Sequence, residues 1–235
     1  MLANAPGEPV QSGKGATTCQ SWPTTHQNLP VIAVSCKTQD GQAIQCCGHG
    51  LLAAAHSWQL RMQCSEVSLL MNNSVIPSRG DLQTIWLQFS RMPTKSCAIP
   101  DWAEQVFPGQ PQPIAAAVCG SEQGYLVLQW PDGFDLHRLS CSTDNLSMNT
   151  QRALICTSAQ PSLTDDAIQL RYFAPQYGVP EDDATGSALR VLADYWSPRT
   201  TVLTARQCSE RGGLLLARTT QSHVEIGGRC KIMEA

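Results

Sequence analysis

The sequence predicts an α+β protein built of two pseudo-symmetric lobes, and three features carry that expectation. Short strand-like runs separated by turn signals recur along most of the 235 residues. Two segments break this pattern with strongly helix-forming composition, residues 48–58 (GHGLLAAAHSW) and 186–196 (GSALRVLADYW). The two helices start 138 residues apart, and in that alignment Gly48, Leu51, Ala55 and Trp58 stand over the identical Gly186, Leu189, Ala193 and Trp196. A helix in the same place among the strands of each half is the mark of a duplicated lobe.

Taken in chain order, residues 1–18 are Gly-rich without periodicity and read as a loop or arm. Residues 30–36 (PVIAVSC), 67–71 and 82–89 (LQTIWLQF) follow as strands, with the first helix between the first two of them. The segment 108–113 (PGQPQP) interrupts the pattern and reads as a linker, which divides the chain into an N-terminal lobe, 1–110, and a C-terminal lobe, 111–235. Beyond it, residues 125–130, 153–156, 167–173, 200–205, 213–218 and 223–226 read as short strands around the second helix, near 186–197. Shorter helices fit residues 101–106 and 143–149.

At about 150 residues per domain the length allows one or two domains. Charged residues make up only 15% and the net charge is −3. That leaves no basic footprint for a phosphate backbone, so nucleic acid is not an expected partner. The longest apolar runs, 51–55 and 114–119, fall far short of the roughly 20 residues of a membrane span, so no membrane partner is expected either. Residues 1–20 contain no apolar core of a signal peptide, which points to the cytoplasm. The eleven cysteines include no CxxC pair and no zinc-finger spacing, and His49 and His56 with Cys46 or Cys47 do not have the usual ligand spacing. No metal and no cofactor are therefore expected, and most thiols read as small buried hydrophobes in a reducing compartment.

The two helix starts carry the chemistry. A helix entered through a glycine-bearing turn presents unpaired backbone N–H groups and the positive end of its dipole, which together favour a carboxylate. The same field favours the thiolate of a cysteine at the turn, which makes Cys47 a candidate nucleophile or base. His49 at the first helix start is a candidate acid or base. Asp182 and Asp183 precede the second helix, and Ser187 lies in its first turn.

Three stretches resemble the phenazine-biosynthesis (PhzF-like) isomerase family, a relative of diaminopimelate epimerase. Residues 46–55, CCGHGLLAAA, are close to the family's CGHATLAAA. Residues 171–188, RYFAPQYGVPEDDATGSA, resemble RxFxPxxGxxEDPATGSA with Asp183 in place of proline, and 206–213, RQCSERGG, is similar to RQxSxRGG. The resemblance implies a cofactor-free α+β fold in which each lobe wraps a curved, barrel-like, mostly antiparallel sheet around a central helix, with the site between the lobes. It implies proton abstraction and return beside the carboxylate of a small metabolite, and a homodimer. It assigns catalysis to His49 and Asp182, with Cys47 as a thiol base in the manner of related epimerases. Substrate would be held by Gly48, Gly50, Thr185, Gly186 and Ser187. The family's catalytic glutamate falls at Gln20, and an amide cannot exchange the proton. The alternative is a catalytically impaired relative that binds a small anion without turning it over.

Overall fold

The computed structural model describes residues 10–11, 18–37, 41, 43–44, 47–80 and 84–230. The expected arm at 1–18 lies largely outside them, as do Cys46, Leu82 and Gln83. The chain forms two compact units, residues 1–89 with 225–235, and residues 90–224.

In the first unit a two-residue strand β1 (Val10–Gln11) is followed by β2 (Thr18–His26), β3 (Leu29–Lys37), helix α1 (Gly48–Met62), β4 (Glu66–Met71), β5 (Ser74–Gly80) and β6 (Thr84–Ser90). The strands pair in the order β1-β2-β3-β4-β5-β6. Two turns set their register. Gln27 and Asn28 both take positive φ, 48° and 64°, and so do Asn72 and Asn73, 47° and 64°. Positive φ at both central residues is what the tight type I′ hairpin requires, and asparagine tolerates it better than most residues. The β2–β3 turn therefore places Cys19 opposite Cys36 and Ser21 opposite Val34. Among the described residues β1 pairs with only Thr18 and Cys19 of β2, so Pro23, which lacks an N–H, faces no described β1 residue that needs a donor from it.

The second unit runs β7 (Thr94–Cys97), α2 (Ala103–Val106), β8 (Ala115–Cys119), β9 (Tyr125–Gln129), α3 (Thr143–Asn149), β10 (Ala153–Ala159), β11 (Ala167–Phe173), α4 (Gly186–Tyr195), β12 (Val202–Gln207) and β13 (Gly213–Thr219). Its strands pair in the order β13-β12-β11-β10-β9-β8-β7. The closing strand, β14 (His223–Arg229), has its residues from Glu225 onward in the first unit. The 108–113 segment lies inside the second unit. There the Gln110 side chain bonds the Ser140 backbone at 2.7 and 2.8 Å, and the Pro111 carbonyl accepts the Trp130 indole N–H at 2.8 Å.

The α+β class holds, and the duplication is visible in the wiring. In each unit an antiparallel hairpin (β2–β3, β10–β11) leads through a helix to a parallel neighbour (β3–β4, β11–β12), which turns back antiparallel (β4–β5, β12–β13). A parallel pair cannot be joined by a tight turn, so the helix is the crossover the topology demands. The identical residues of the two helices are core anchors. Leu51, Ala55, Leu189 and Ala193 are fully buried, each leucine contributing about 1.5–3 kcal/mol. Trp58 donates its indole N–H to Ser21 Oγ on β2 at 2.9 Å, and Trp196 donates to Thr157 Oγ1 on β10 at 3.2 Å.

The strands β2, β5, β7 and β8 were not legible in composition. β2 (TCQSWPTTH) is polar because one of its faces is exposed, and β7 (TKSC) is short and solvent-facing. The first helix runs one turn past the expected end and stops at Gln63 in the left-handed conformation, φ 51°. Among the described residues no helix is long and apolar enough to cross a membrane.

Candidate functional site

Both central helices begin in the same way. Cys47, the residue that caps α1, has φ −115° and ψ 94°, and Thr185, which caps α4, has φ −114° and ψ 96°. Each enters a Gly-started helix from extended backbone, and neither helix carries an acidic residue in its first turn. The positive end of each dipole is thus not neutralised by a side chain of its own first turn.

At the first start His49 is exposed and Gly48 is partly exposed, while Cys47 and Gly50 are buried. Cys47 Sγ accepts the Gly50 N–H at 3.3 Å, and its carbonyl takes the Leu51 N–H at 2.9 Å. The sulfur points into the core, where Cys19 and Cys36 meet it. The three buried Sγ atoms lie within 4.8 Å of one another. Cys47 accepts from the thiols of Cys19 and Cys36 and from the Gly50 amide, and these bonds hold its pKa well below the ordinary thiol value. Cys19 accepts from Cys36 but gives its own proton to Cys47 and is buried, which leaves it above that value. Cys36 rises as well, through its contacts with Cys19 and Cys47 and its burial. This trio is the only group of three His, Cys, Asp or Glu side chains among the described residues with metal-ligand proximity.

Gln20 sits between the buried Cys19 and Ser21 and is itself exposed, paired with Ser35. Its side chain therefore leaves the opposite face of β2 from the one that meets Cys47. His56 is buried in α1, a packing residue.

The second start is a braced loop. The Thr185 hydroxyl donates to Asp182 Oδ2 at 2.5 Å, and the Thr185 N–H donates to Gln207 Oε1 at 2.7 Å. The Gln207 amide nitrogen donates to Thr185 Oγ1 at 3.1 Å and also to the Asp182 carbonyl. Asp182 Oδ1 accepts the Asp183 N–H at 3.1 Å, so both oxygens of Asp182 hold the loop. Ser209 Oγ donates to the Asp183 carbonyl at 2.8 Å, and Arg211 pairs with Asp183 at 3.5 Å. Gly213 packs so closely on Ala184 that a Cβ there would stand 2.9 Å from the alanine methyl. Glu181 is held by Arg171 in a two-pronged ion pair at 2.6 and 2.7 Å. Ser187 and Gly186 remain partly exposed at the helix start.

The structure thus brings Asp182, Thr185, Gly186 and Ser187 together with the RQCSERGG stretch, and Cys47, Gly48, His49 and Gly50 together with Cys19 and Cys36. The sequence reading missed Gln207 and Ser209 as braces although both stand inside a quoted motif. It also missed Cys19 and Cys36, whose only signal was the turn that makes them partners.

Comparison with known proteins agrees with this architecture. The sequence model described as "Phenazine biosynthesis-like protein" matches residues 41–234. An uncharacterized isomerase of Vibrio cholerae is 31% identical over 198 residues, covering 82% of this chain and 66% of that protein. A phenazine biosynthesis-like domain-containing protein of Bos taurus is 39% identical over 110 residues, covering 42% of this chain and 38% of the other. The chain thus spans less than two thirds of these relatives' length. A PhzF-family crystal structure from Enterococcus faecalis superposes with a TM-score of 0.74 at 21% identity, over 90% of this chain and 78% of that one. A crystal structure of a putative phenazine biosynthesis PhzC/PhzF protein from Clostridium difficile gives 0.71, also at 21%, over 92% and 83%.

Proposed function

Because the chain belongs to the phenazine biosynthesis-like protein family, we propose that it is an isomerase that moves a proton on a small metabolite beside a carboxylate. The observation that carries the reading is the matched pair of helix starts, with caps in the same conformation and no acidic residue in either first turn. Relatives named as isomerases support the reaction class.

In this reading the Gly186 and Ser187 amides and the Ser187 hydroxyl take the substrate carboxylate, where helix dipole and N–H groups favour an anion. Asp182 and Gln207 fix Thr185 so that this start is preformed, and Asp182 acts as a positioning residue. His49, exposed at the start of α1, is the residue this reading assigns to take and return the proton, since an imidazole can serve first as base and then as acid. The Gly48 amide lies at the same start as a donor to developing negative charge. Cys47, with its sulfur turned inward, shapes the turn and leaves the proton step to His49. The reaction needs no cofactor for these steps, and the reading places the protein in the cytoplasm as a homodimer.

Gln20 favours a second reading. The position that resembles the family's glutamate is an exposed amide, which leaves a protein that binds a small carboxylate without turning it over. Incubation with a panel of small amino and hydroxy acids in deuterated water separates the two. The isomerase incorporates deuterium at the carbon beside the carboxylate, and His49→Ala abolishes it. A ligand-dependent rise in melting temperature without any incorporation establishes the binder instead.

A further inference from the structure

We propose that Cys19, Cys36 and Cys47 form a three-thiolate site for a single thiophilic divalent d10 cation, Zn(II) in its ordinary form, beneath the start of α1. The inference does not depend on the isomerase reading.

Four observations converge on it. First, the three sulfurs come from three separate places in the chain, β2, β3 and the cap of α1, yet lie within 4.8 Å of one another. A Zn–S bond of about 2.3 Å sets sulfurs about 3.8–4.0 Å apart in a tetrahedral or trigonal shell, so a contraction of at most about 1 Å closes the shell. Second, the hairpin holds two of the donors directly opposite each other, so they need not be brought together on binding. Third, the sulfurs occupy a hollow made by a missing side chain. A Cβ on Gly50 would overlap the sulfurs of both Cys19 and Cys36 and stand 3.2 Å from that of Cys47. Position 50 is where the resembling CGHAT motif carries alanine, so the glycine and the three thiols fit together. Fourth, the charge is tolerable. Three thiolates and a divalent ion leave one negative charge, which meets the Gly50 N–H and the positive end of α1. The surrounding side chains, among them Val34, Leu51 and Leu69, are buried and apolar, so water competes poorly for the donors.

Binding replaces thiol protons with metal–sulfur bonds and releases those protons to solvent, with no change of oxidation state. Three protein ligands leave a fourth tetrahedral position for water or another small donor.

The test uses the full chain, reduced and stripped with a chelator, and titrated with Cd(II) and separately with Co(II). One equivalent of Cd(II) should raise an ultraviolet sulfur-to-metal charge-transfer band, and Co(II) should give the visible bands of a tetrahedral thiolate site. Cys36→Ala and Cys19→Ala should each remove about a third of the Cd(II) band per bound ion and weaken binding at least tenfold. Gly50→Ala should weaken it while leaving all three cysteines in place, and Cys64→Ala, on an exposed thiol, should change nothing. Circular dichroism of each metal-free variant confirms that it is folded. The proposal fails if no band appears. It fails if the band keeps its size in both Cys19→Ala and Cys36→Ala, or if the protein isolated without reductant carries a Cys19–Cys36 disulfide.

Discussion

Replacing Glu181 with glutamine should destabilise the second unit by about 2–3 kcal/mol. The Arg171 side chain is 12% exposed and that of Glu181 25%, and the pair is bidentate. Burial pulls the Arg171 pKa down, but the Glu181 carboxylate more than offsets it and holds it above the ordinary value. Removing one member of a fully buried pair costs about 3–5 kcal/mol because the other charge is stranded. Here the loss is smaller. The guanidinium keeps the carbonyls of Leu136 and Leu139 and stands 4.8 Å from the Phe173 ring, and glutamine retains one acceptor. At about 2–4 °C per kcal/mol for a chain of this size, the melting temperature should fall by about 4–12 °C. Urea unfolding followed by tryptophan fluorescence gives the free energy. The double variant Arg171→Met with Glu181→Leu should be more stable than either single one, since neither charge is then stranded. A cost below about 0.5 kcal/mol for Glu181→Gln, or a double variant no better than the singles, would refute the assignment of this pair as the clamp of the 181–185 loop.

Thr185→Val should cost about 1–3 kcal/mol, because it leaves the buried Gln207 amide and Asp182 Oδ2 each short of a partner. It should also abolish the ligand-induced melting shift, measured against the same carboxylate panel. Trp58→Phe and Trp196→Phe should each lose about 1 kcal/mol, as each removes one indole hydrogen bond at a repeat-related place; a large difference between the two in denaturant titrations would argue against equivalent roles. Cys47 has a folded pKa below its unfolded value of about 8.5. The unfolded state therefore binds the proton more readily, and the stability Cys47 confers is full above that pH and declines as pH falls below it. The difference in unfolding free energy between the parent chain and Cys47→Ser should shrink steadily from pH 8 to pH 4. Cys19 and Cys36, raised in the fold, act in the opposite sense, and their contribution should be lost as pH rises past about 8.5.

What could be read directly from the chain was local. The starts of both central helices were legible at Gly48 and Gly186 because glycine-bearing turns and helix-forming runs leave their mark in adjacent residues. The repeat was legible because Leu51, Ala55 and Trp58 recur as Leu189, Ala193 and Trp196. The loop of residues 181–188 was marked by its own motif. The resemblance singled out Asp182 among the acids of this loop, but only packing showed what each acid does, binding Glu181 to Arg171 and Asp182 to Thr185 and Asp183. The braces Gln207, at the end of β12, and Ser209, in the bend after it, reach partners more than twenty residues away in the chain, and no local pattern reports that.

Strand β2 shows the same division most sharply. Its composition hides it, since Pro23 and a polar face argue against a strand, yet the Gln27–Asn28 turn determines every pairing in the hairpin. A one-residue shift of that turn would exchange the faces of β2, bringing Gln20 inward and turning Cys19 to solvent. The sequence by itself determined the composition of each helix start, because the dipole and the free amides need only the few residues around them. Tertiary structure alone decided that three cysteines separated by 17 and 11 residues share one hollow over Gly50, because sheet register and helix crossover, rather than spacing along the chain, set which side chains meet.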